Sequence, residues 1–302
     1  MASQLYDYLF YFLIYAFCGW VVEVIFQAVT TGKIINRGFL NGPVCPVYGF
    51  GVTAVLLLGQ WVFPGGVENL SFPVIFLWGV LLATVIELVA GWGLYVLFHA
   101  RWWDYSDMPL NLGGFICAKF SLMWGLAIVL VVRVVHPGIT ENIVEKIPVG
   151  IGTVVLIVLY TLLLVDLAVT VATVVGMNRQ LKKLQEIRRS LRVVSDGLSR
   201  KIGSGALQTS QKVEEAQLQA ALAKMELRDA VEEGVSEAQK RGSAARADLQ
   251  RQYEELKAGF WKHGQFGSRR ILSAFPGLRH SRYAQLLSEL KEEYSKKRGD
   301  KE

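Results

Sequence analysis

Four ionisable residues lie within long apolar stretches of the sequence: Glu23, Glu87, Lys119 and Asp166. A charge at the centre of a membrane costs about 2.5–3.5 kcal/mol on insertion scales, so such residues face protein or water rather than lipid. These residues could form structural salt bridges, or a site for an ion, a proton or a polar substrate. Because there are three acidic residues and only one basic residue, salt bridges among the four cannot pair every charge, and the pattern favours a site.

Residues 31–51 form an irregular segment between two apolar stretches. Its glycines and prolines disfavour a helix, and non-helical backbone at membrane depth must be buried in protein or face water. The segment is either a tight turn that caps two helices or a re-entrant pocket wall into which Asn36, Arg37 and Asn41 point. For the pocket, we predict that Glu23 and Glu87 line it, that Lys119 partly neutralises it and that Arg37 closes its mouth.

A second irregular segment, residues 99–125, repeats features of the first. The shared residues are Asn36, Gly38, Phe39 and Cys45 in the first segment and Asn111, Gly113, Gly114, Phe115 and Cys117 in the second. This echo suggests a parallel repeat, which some transporters build around a central site, although 13 residues separate Glu23 from Asn36 and 24 separate Glu87 from Asn111. Trp102, Trp103 and Tyr105 are predicted to be interfacial aromatics at the level of the lipid headgroups.

These segments connect stretches that are apolar and long enough to cross a membrane, which takes about 20 residues. We predict an all-α, polytopic transmembrane helical bundle of about five spans, residues 1–177. The spans are 6–29, 47–63, 72–98, 115–135 and 147–177, of which the second is the shortest.

Charge divides the chain and orients it. Through residue 177 there are six Lys and Arg against nine Asp and Glu, and after it 26 against 17. Nine basic residues lie in the first and third connections and just after the last span, which places those regions in the cytoplasm. We therefore predict a cell-membrane, multi-pass protein with an external N-terminus and a cytoplasmic, helical, basic tail.

The tail divides into two predicted parts. Residues 178–205 form a basic amphipathic juxtamembrane helix that ends near Gly203 and Gly205 and lies on anionic lipid. Its membrane-surface residues are Lys182, Lys183, Arg188, Arg189 and Arg192. Residues 206–302 form a cytoplasmic helical tail in which a short coiled-coil seam from Ala220 ends at Gly234. Beside a membrane domain, its basic and aromatic residues favour lipid or protein partners, and we expect no nucleic acid.

Motifs for catalysis and cofactor binding are missing from the sequence. It contains no GxxxxGK[ST], no HExxH and no GxSxG, its four histidines do not cluster, and its three cysteines show no CxxC spacing. We assign no catalytic residue, metal or cofactor. If ATP drives the protein, a separate ATP-binding subunit hydrolyses it.

Four stretches carry a family resemblance: GWVVEVIFQ, NRGFLNGPVCPVYGFG, WWDYSDMPLNLGGFICAKFSLMWG and, near the C-terminus, RRILSAFPGLRHSRYAQLLSELK. The sequence resembles a bacterial membrane family named "Putative ABC-transporter type IV", or CmpB-like. The resemblance implies a polytopic transporter component.

The favoured hypothesis is a permease-like component that moves a small ion or polar solute across the lipid bilayer, and a homo-oligomer remains open. One alternative is a membrane enzyme acting on lipid-borne substrates, with Glu23 or Glu87 as acid or base and Arg37 holding an anionic headgroup. The other is a membrane scaffold that recruits partners through its tail.

Overall fold

A computed structural model describes residues 2–215, 223–262 and 267–299 of the chain. The described residues are mostly helical, which confirms the predicted all-α class. The helices are α1 Ala2–Thr31, α2 Pro46–Val62, α3 Phe72–Phe98, α4 Ala118–Leu130, α5 His136–Asn142, α6 Val149–Glu215, α7 Ala223–Lys262, α8 Ser268–Ala274 and α9 Ala284–Gly299. A π-helical turn, Val131–Val135, joins α4 to α5. Two-residue strands form two antiparallel pairs: β1 Ala100–Arg101 with β4 Arg279–His280, and β2 Asn111–Leu112 with β3 Ile116–Cys117.

Among the residues that the structure describes, four helical segments are long and apolar enough to cross a membrane. They are Gln4–Thr31, Phe72–Phe98, Ala118–Lys146 and Val149–Asp196. The second predicted span, 47–63, corresponds to α2, an apolar helix of 17 residues whose length of about 25 Å falls short of the roughly 30 Å hydrocarbon core. The predicted bundle is therefore confirmed, and its span count is roughly right.

Prolines and a left-handed residue set the limits of the spanning helices. Pro46 and Pro73 lie in the first turns of α2 and α3, where the missing N–H would have no helical partner. His99 ends α3 in the left-handed conformation, with φ of 54°. These limits leave two non-helical connections, residues 32–45 and 99–117, at one end of the bundle, which we call the turn end.

Glycines let the spanning helices pack closely. A Cβ atom on Gly19 of α1 would overlap the ring of Tyr48 in α2, and one on Gly79 of α3 would lie 2.7 Å from Cβ of Ile128 in α4. Close backbone approach through small residues is how membrane helices associate, because lipid provides no hydrophobic drive between them.

The chain divides into two compact units. One contains Met1–Gly176 together with His263–Glu302, and the other contains Met177–Lys262. Helix α6 continues through Gly203 and Gly205 to Glu215, so the predicted end of the juxtamembrane helix near these glycines is wrong. A glycine costs a helix only about 1 kcal/mol, which the neighbouring helix formers offset.

The predicted coiled-coil seam is described in part. Ala220 lies outside the described residues, and α7 passes through Gly234 without a break. The seam therefore stays a prediction, although the helix that would carry it extends further than the glycine suggested.

We expect Gly79→Ala to lower the free energy of unfolding by about 1–3 kcal/mol, because the new methyl group forces α3 away from Ile128. Gly93→Ala, in the same helix, is the matched control, since no atom lies within 4 Å of its new Cβ. Thermal unfolding of the purified protein in detergent measures both. Equal melting temperatures for the two variants would contradict close packing at Gly79.

Candidate functional site

The first turn, residues 32–45, is held together by the side chain of Asn36. Its Oδ1 accepts hydrogen bonds from the indole Nε1 of Trp20 at 2.8 Å and from the backbone N of Gly38 at 2.9 Å. Its Nδ2 donates to the backbone O of Asn41 at 2.7 Å. Both polar atoms of the Asn36 side chain are therefore used to close the turn and do not face a ligand.

Asp166 of α6 anchors the same turn to a neighbouring helix. Its Oδ1 accepts from the backbone N and the Nδ2 of Asn41, at 3.1 and 2.8 Å, and its Oδ2 accepts from the backbone N of Gly42 at 2.7 Å. The same amide of Asn41 also donates to the buried hydroxyl of Thr170 at 2.9 Å. N–H groups of the turn thus satisfy both oxygens of the carboxylate, so Asp166 acts as a structural anchor.

A distant arginine completes the turn. The guanidinium of Arg270, in α8, donates to the backbone carbonyls of Gly38, Phe39 and Leu40 at 3.1, 2.8 and 3.1 Å. One side chain from near the C-terminus thereby provides hydrogen-bond donors for three consecutive backbone carbonyls that lie outside any helix. Sequence reasoning missed this residue, although its position in the RRILSAFPGL stretch was part of the family resemblance.

The second turn, residues 99–117, is closed by Asn111 in a way that resembles Asn36. Its Oδ1 accepts from the backbone N of Gly114 at 3.0 Å, and its Nδ2 donates to the backbone O of Met108 at 2.8 Å. Gly114 has φ of +75°, and a Cβ there would lie within 2.7 Å of side-chain atoms of three residues. The position therefore accepts only glycine.

Asp104 ties the second turn to the C-terminal segment. It accepts hydrogen bonds from the side chain and backbone of Ser106 and forms ion pairs with Arg101 at 3.5 Å and Arg279 at 3.1 Å. The bonds from Ser106, and then the two guanidinium groups, hold the pKa of Asp104 below its usual value. Ser281 adds two hydrogen bonds to the backbone O of His99.

The aromatic residues of the second turn point inward rather than to the headgroup region. Trp102 is only 4% exposed and packs edge-on against Phe39 of the first turn and Phe275 of the C-terminal segment. Trp103 donates to the backbone O of Phe115 at 2.9 Å. The predicted interfacial role is therefore wrong for Trp102, because its ring fills the space between two turns and the segment that covers them.

The two glutamates of the spanning helices lie on opposite sides of one group of aromatic rings. Glu23 accepts from the hydroxyl of Tyr48 at 2.7 Å and pairs with Nε of Arg37 at 3.6 Å. The ring of Tyr48 packs edge-on against Trp124 at 5.4 Å, whose indole lies beside the carboxylate of Glu87. We call Glu23, Arg37, Tyr48, Glu87, Tyr105 and Trp124 the carboxylate cluster.

The two carboxylates of this cluster differ in how they are satisfied. Glu23 is about one-quarter exposed and has a cation beside it. Glu87 is 9% exposed, and its Oε1 accepts from the hydroxyl of Tyr105 at 3.1 Å. Its Oε2 is buried and has no hydrogen-bond partner among the described residues. Tyr105 was predicted to be a membrane anchor and instead contacts this carboxylate.

Lys119 does not join the cluster. The side chain is exposed, its ammonium lies 5.9 Å from the ring centroid of the adjacent Phe120, and the described part of the chain shows no ion pair for it. The structure thus brings Glu23, Arg37 and Glu87 to one region, assigns Asn36, Asn41, Asn111 and Asp166 to the architecture of the turns, and leaves Lys119 apart.

The basic helix after the last span can be described within its own unit. Lys182, Lys183, Arg189 and Arg192 are exposed and Arg188 is half-buried. Lys182 forms an ion pair with Glu186 at 3.9 Å. Leu181 and Leu184 of the same helix are fully buried. Membrane-surface binding by the basic residues stays a prediction.

A family model described as "Putative ABC-transporter type IV" matches residues 10–171. Because the match covers more than half of the chain, the protein belongs to this family, as the resemblance indicated. It is a membrane protein of a transporter type. The matched range includes both turns and the carboxylate cluster, whereas Arg270 and Arg279 lie beyond it. No curated protein and no solved structure matches the chain.

We expect Arg270→Met to release the C-terminal segment, because three backbone carbonyls of the first turn lose a charged donor. Hydrogen bonds to charged groups contribute about 1.5–3 kcal/mol each, so the melting temperature should fall and residues 267–299 should become sensitive to protease. Arg269→Met is the matched control, since its exposed guanidinium contacts only the ring of Tyr294 among the described residues. Similar proteolysis of both variants would contradict the anchoring role.

The docking of β4 should weaken as the pH falls from 7 to 5. Burial, with the nearby charges of His99 and Arg282, lowers the pKa of His280 to about 4. At a pH between about 4 and 6.5, His280 is protonated in the undocked segment and neutral in the docked one. The free energy of docking therefore becomes less favourable as the pH falls through this range. Hydrogen exchange of residues 279–283 at pH 5 and 7.5 measures the loss.

His280→Asn is the control for this pH dependence. The Nδ1 of His280 accepts from the backbone N atoms of Arg282 and Tyr283 at 3.1 and 3.3 Å, and an Asn Oδ1 can accept there without titrating. Exchange in the variant should be independent of pH between 5 and 7.5 after correction for the intrinsic rate. A variant that retains the full pH dependence would remove His280 as its cause.

Proposed function

We propose that this protein is the permease-like component of a transporter, and that it moves a small cation or a polar solute carrying a positive charge past the carboxylate cluster. The supporting observation is the Oε2 atom of Glu87, which is buried and accepts no hydrogen bond within the described residues, although the indole of Trp124 lies beside the carboxylate. A buried carboxylate is stable only when it is paired, hydrogen-bonded or protonated. A transported cation or proton would satisfy it.

The two tyrosines support a role in solute handling. Tyr48 donates to Glu23 and Tyr105 donates to Glu87, so each hydroxyl fixes one carboxylate oxygen and leaves the other for a second partner. Arg37 already occupies that second position at Glu23. Glu87 is the acid of the pair that remains open to an incoming positive charge.

The position of Arg37 disfavours the enzyme hypothesis. A site for an anionic lipid headgroup would use the donors of Arg37, but its Nε is buried and is directed at Glu23 instead. The Glu23–Arg37 pair is better suited to stabilise one side of the proposed path that a transported cation takes past Glu87.

A separate ATP-binding subunit would act on the turn end. Lys and Arg residues are concentrated in the two turns and just beyond the last span, which favours the turn end as the cytoplasmic side. Both turns are joined there to the C-terminal segment through Arg270 and Arg279. A force applied to this joined surface would reach α1 and α3, which carry the two glutamates.

Glu87→Gln should leave the fold intact and abolish activity. The amide keeps the shape and accepts the hydrogen bond of Tyr105, while the buried charge is removed, so the melting temperature should be equal to or above that of the wild type. Growth of a deletion strain complemented with the variant measures function. Glu141→Gln, an exposed carboxylate of α5, is the control and should complement fully.

The partner acid should behave differently. Glu23→Gln leaves Arg37 without its carboxylate partner and should lower stability, by less than the roughly 3–5 kcal/mol of a fully buried pair because both side chains are about one-quarter exposed. The double variant Glu23→Gln, Arg37→Met should recover the melting temperature.

A Glu87→Gln variant that is both stable and fully active would overturn the proposal, and the cluster would then be a structural contact.

A further inference from the structure

A pocket of about 210 Å³ lies at the opposite end of the bundle from the turns. Three residues of α1, Asp7, Tyr8 and Tyr11, line one side, and Glu68, from the short connection between α2 and α3, lines another. His136 and Thr140 of α5 complete the polar part of the wall. These residues come from three separate parts of the sequence, so the pocket exists only in the folded bundle.

Contacts among the lining residues fix the wall. The hydroxyl of Tyr11 lies 3.2 Å from that of Thr140, and the buried His136 uses Nδ1 to bond the hydroxyl of Tyr15 at 2.9 Å. The Nε2 of His136 then faces Oε1 of Glu68 at 3.7 Å. Such contacts orient the side chains before any ligand arrives, which reduces the cost of binding.

The pocket carries two carboxylates and no lining Lys or Arg. Within the described part of the chain, neither Asp7 nor Glu68 forms an ion pair with Lys or Arg. The nearby Arg133 directs its guanidinium to the backbone carbonyls of Glu68 and Leu70 instead. The negative charge is therefore available to a ligand.

Aromatic rings lie between these carboxylates. Tyr8 and Tyr11 pack edge to face with ring centroids 5.9 Å apart, and Tyr11 packs in the same way on His136 at 4.8 Å. Tyrosine rings together with carboxylates recognise organic ammonium groups through cation–π attraction and charge. The rings of Tyr8 and Tyr11 beside the carboxylates of Asp7 and Glu68 therefore favour an organic cation as the ligand.

We propose that this pocket binds a small alkylammonium group, either as a free solute or as the headgroup of a lipid. A volume of about 210 Å³ lies below the roughly 300–1,000 Å³ of pockets for drug-sized ligands and limits the ligand to a few non-hydrogen atoms. Asp7 and Glu23 are sixteen residues apart on α1, about 24 Å by helical rise. The pocket is thus separate from the carboxylate cluster, and its test does not depend on the transport function.

The test uses choline chloride as the probe on the full-length protein in a maltoside detergent without added lipid. Choline should raise the melting temperature in a saturable manner relative to sodium chloride at the same ionic strength. The uncharged isostere 3,3-dimethyl-1-butanol should not, because it fills the same volume without the charge. An equal response to choline and to the alcohol, or no response beyond that to sodium chloride, would overturn the proposal.

Variants connect the response to the pocket. Asp7→Asn and Glu68→Gln should each weaken choline binding about tenfold, since each removes a nearby opposite charge. Tyr8→Leu should weaken it about two- to fivefold, which corresponds to one exposed cation–π contact. Glu141→Gln removes the same charge from the exposed surface of α5 and should bind as the wild type does. Unchanged affinity in both carboxylate variants, each folded by its melting transition, would also overturn the proposal.

Nanodiscs distinguish the two sources of the ammonium group. If the pocket takes a lipid headgroup, choline should bind more weakly in discs that contain phosphatidylcholine than in discs of phosphatidylglycerol alone. If it takes a free solute, the two affinities should agree. Both results support the alkylammonium site and assign its ligand, whereas absence of choline binding in both types of disc and in detergent contradicts it.

Discussion

The structure depends on the satisfaction of non-helical backbone within a bundle that lipid surrounds. Residues 36–42 are non-helical, so their backbone N–H and C=O groups need hydrogen-bond partners that a hydrocarbon environment cannot offer. Asn36, Asp166 and Arg270 supply those partners, from the turn itself, from α6 and from α8. Once the turn is fixed, α1 and α2 are held close enough for Tyr48 to reach Glu23.

The second turn obeys the same constraint with different residues. Asn111 closes it as Asn36 closes the first, while Asp104 takes its partners from Ser106, Arg101 and Arg279. The echo between the two turns in the sequence therefore corresponds to a shared use of an Asn side chain to close a loop. The fold also brings one tyrosine to each glutamate: Tyr48, just after the first turn, bonds Glu23, and Tyr105, within the second turn, bonds Glu87.

Some of this arrangement could be predicted from the sequence. Apolar length gave four of the five spans directly, and the cost of intramembrane charge singled out both glutamates. The structure pairs Glu23 with Arg37, and the pocket whose mouth Arg37 would close stays a prediction. These features depend on composition and local spacing, which a single sequence contains.

Other features depend on contacts between distant segments, which no local pattern reports. Arg270 lies more than 220 residues after the turn that it satisfies, and Trp102 looks like a membrane anchor until Phe39 and Phe275 cover it. Lys119 was predicted to lie inside the span 115–135, within reach of a glutamate, but the helix starts only at Ala118, so the side chain lies in its first turn and is exposed. His136 carried no signal as an isolated histidine, and only the fold brings it to Tyr15 and Glu68.

Helix α1 connects the two polar regions of the molecule. Asp7, Tyr8 and Tyr11 lie near its first turns and Glu23 near its last, with Gly19 packed against Tyr48 between them. Packed interfaces of this kind change between discrete arrangements rather than deform continuously. A shift of α1 against α2 at Gly19 would therefore move the wall of the pocket at one end and the Glu23–Tyr48 contact at the other together. Helix α1 is therefore the element that the pocket and the carboxylate cluster share.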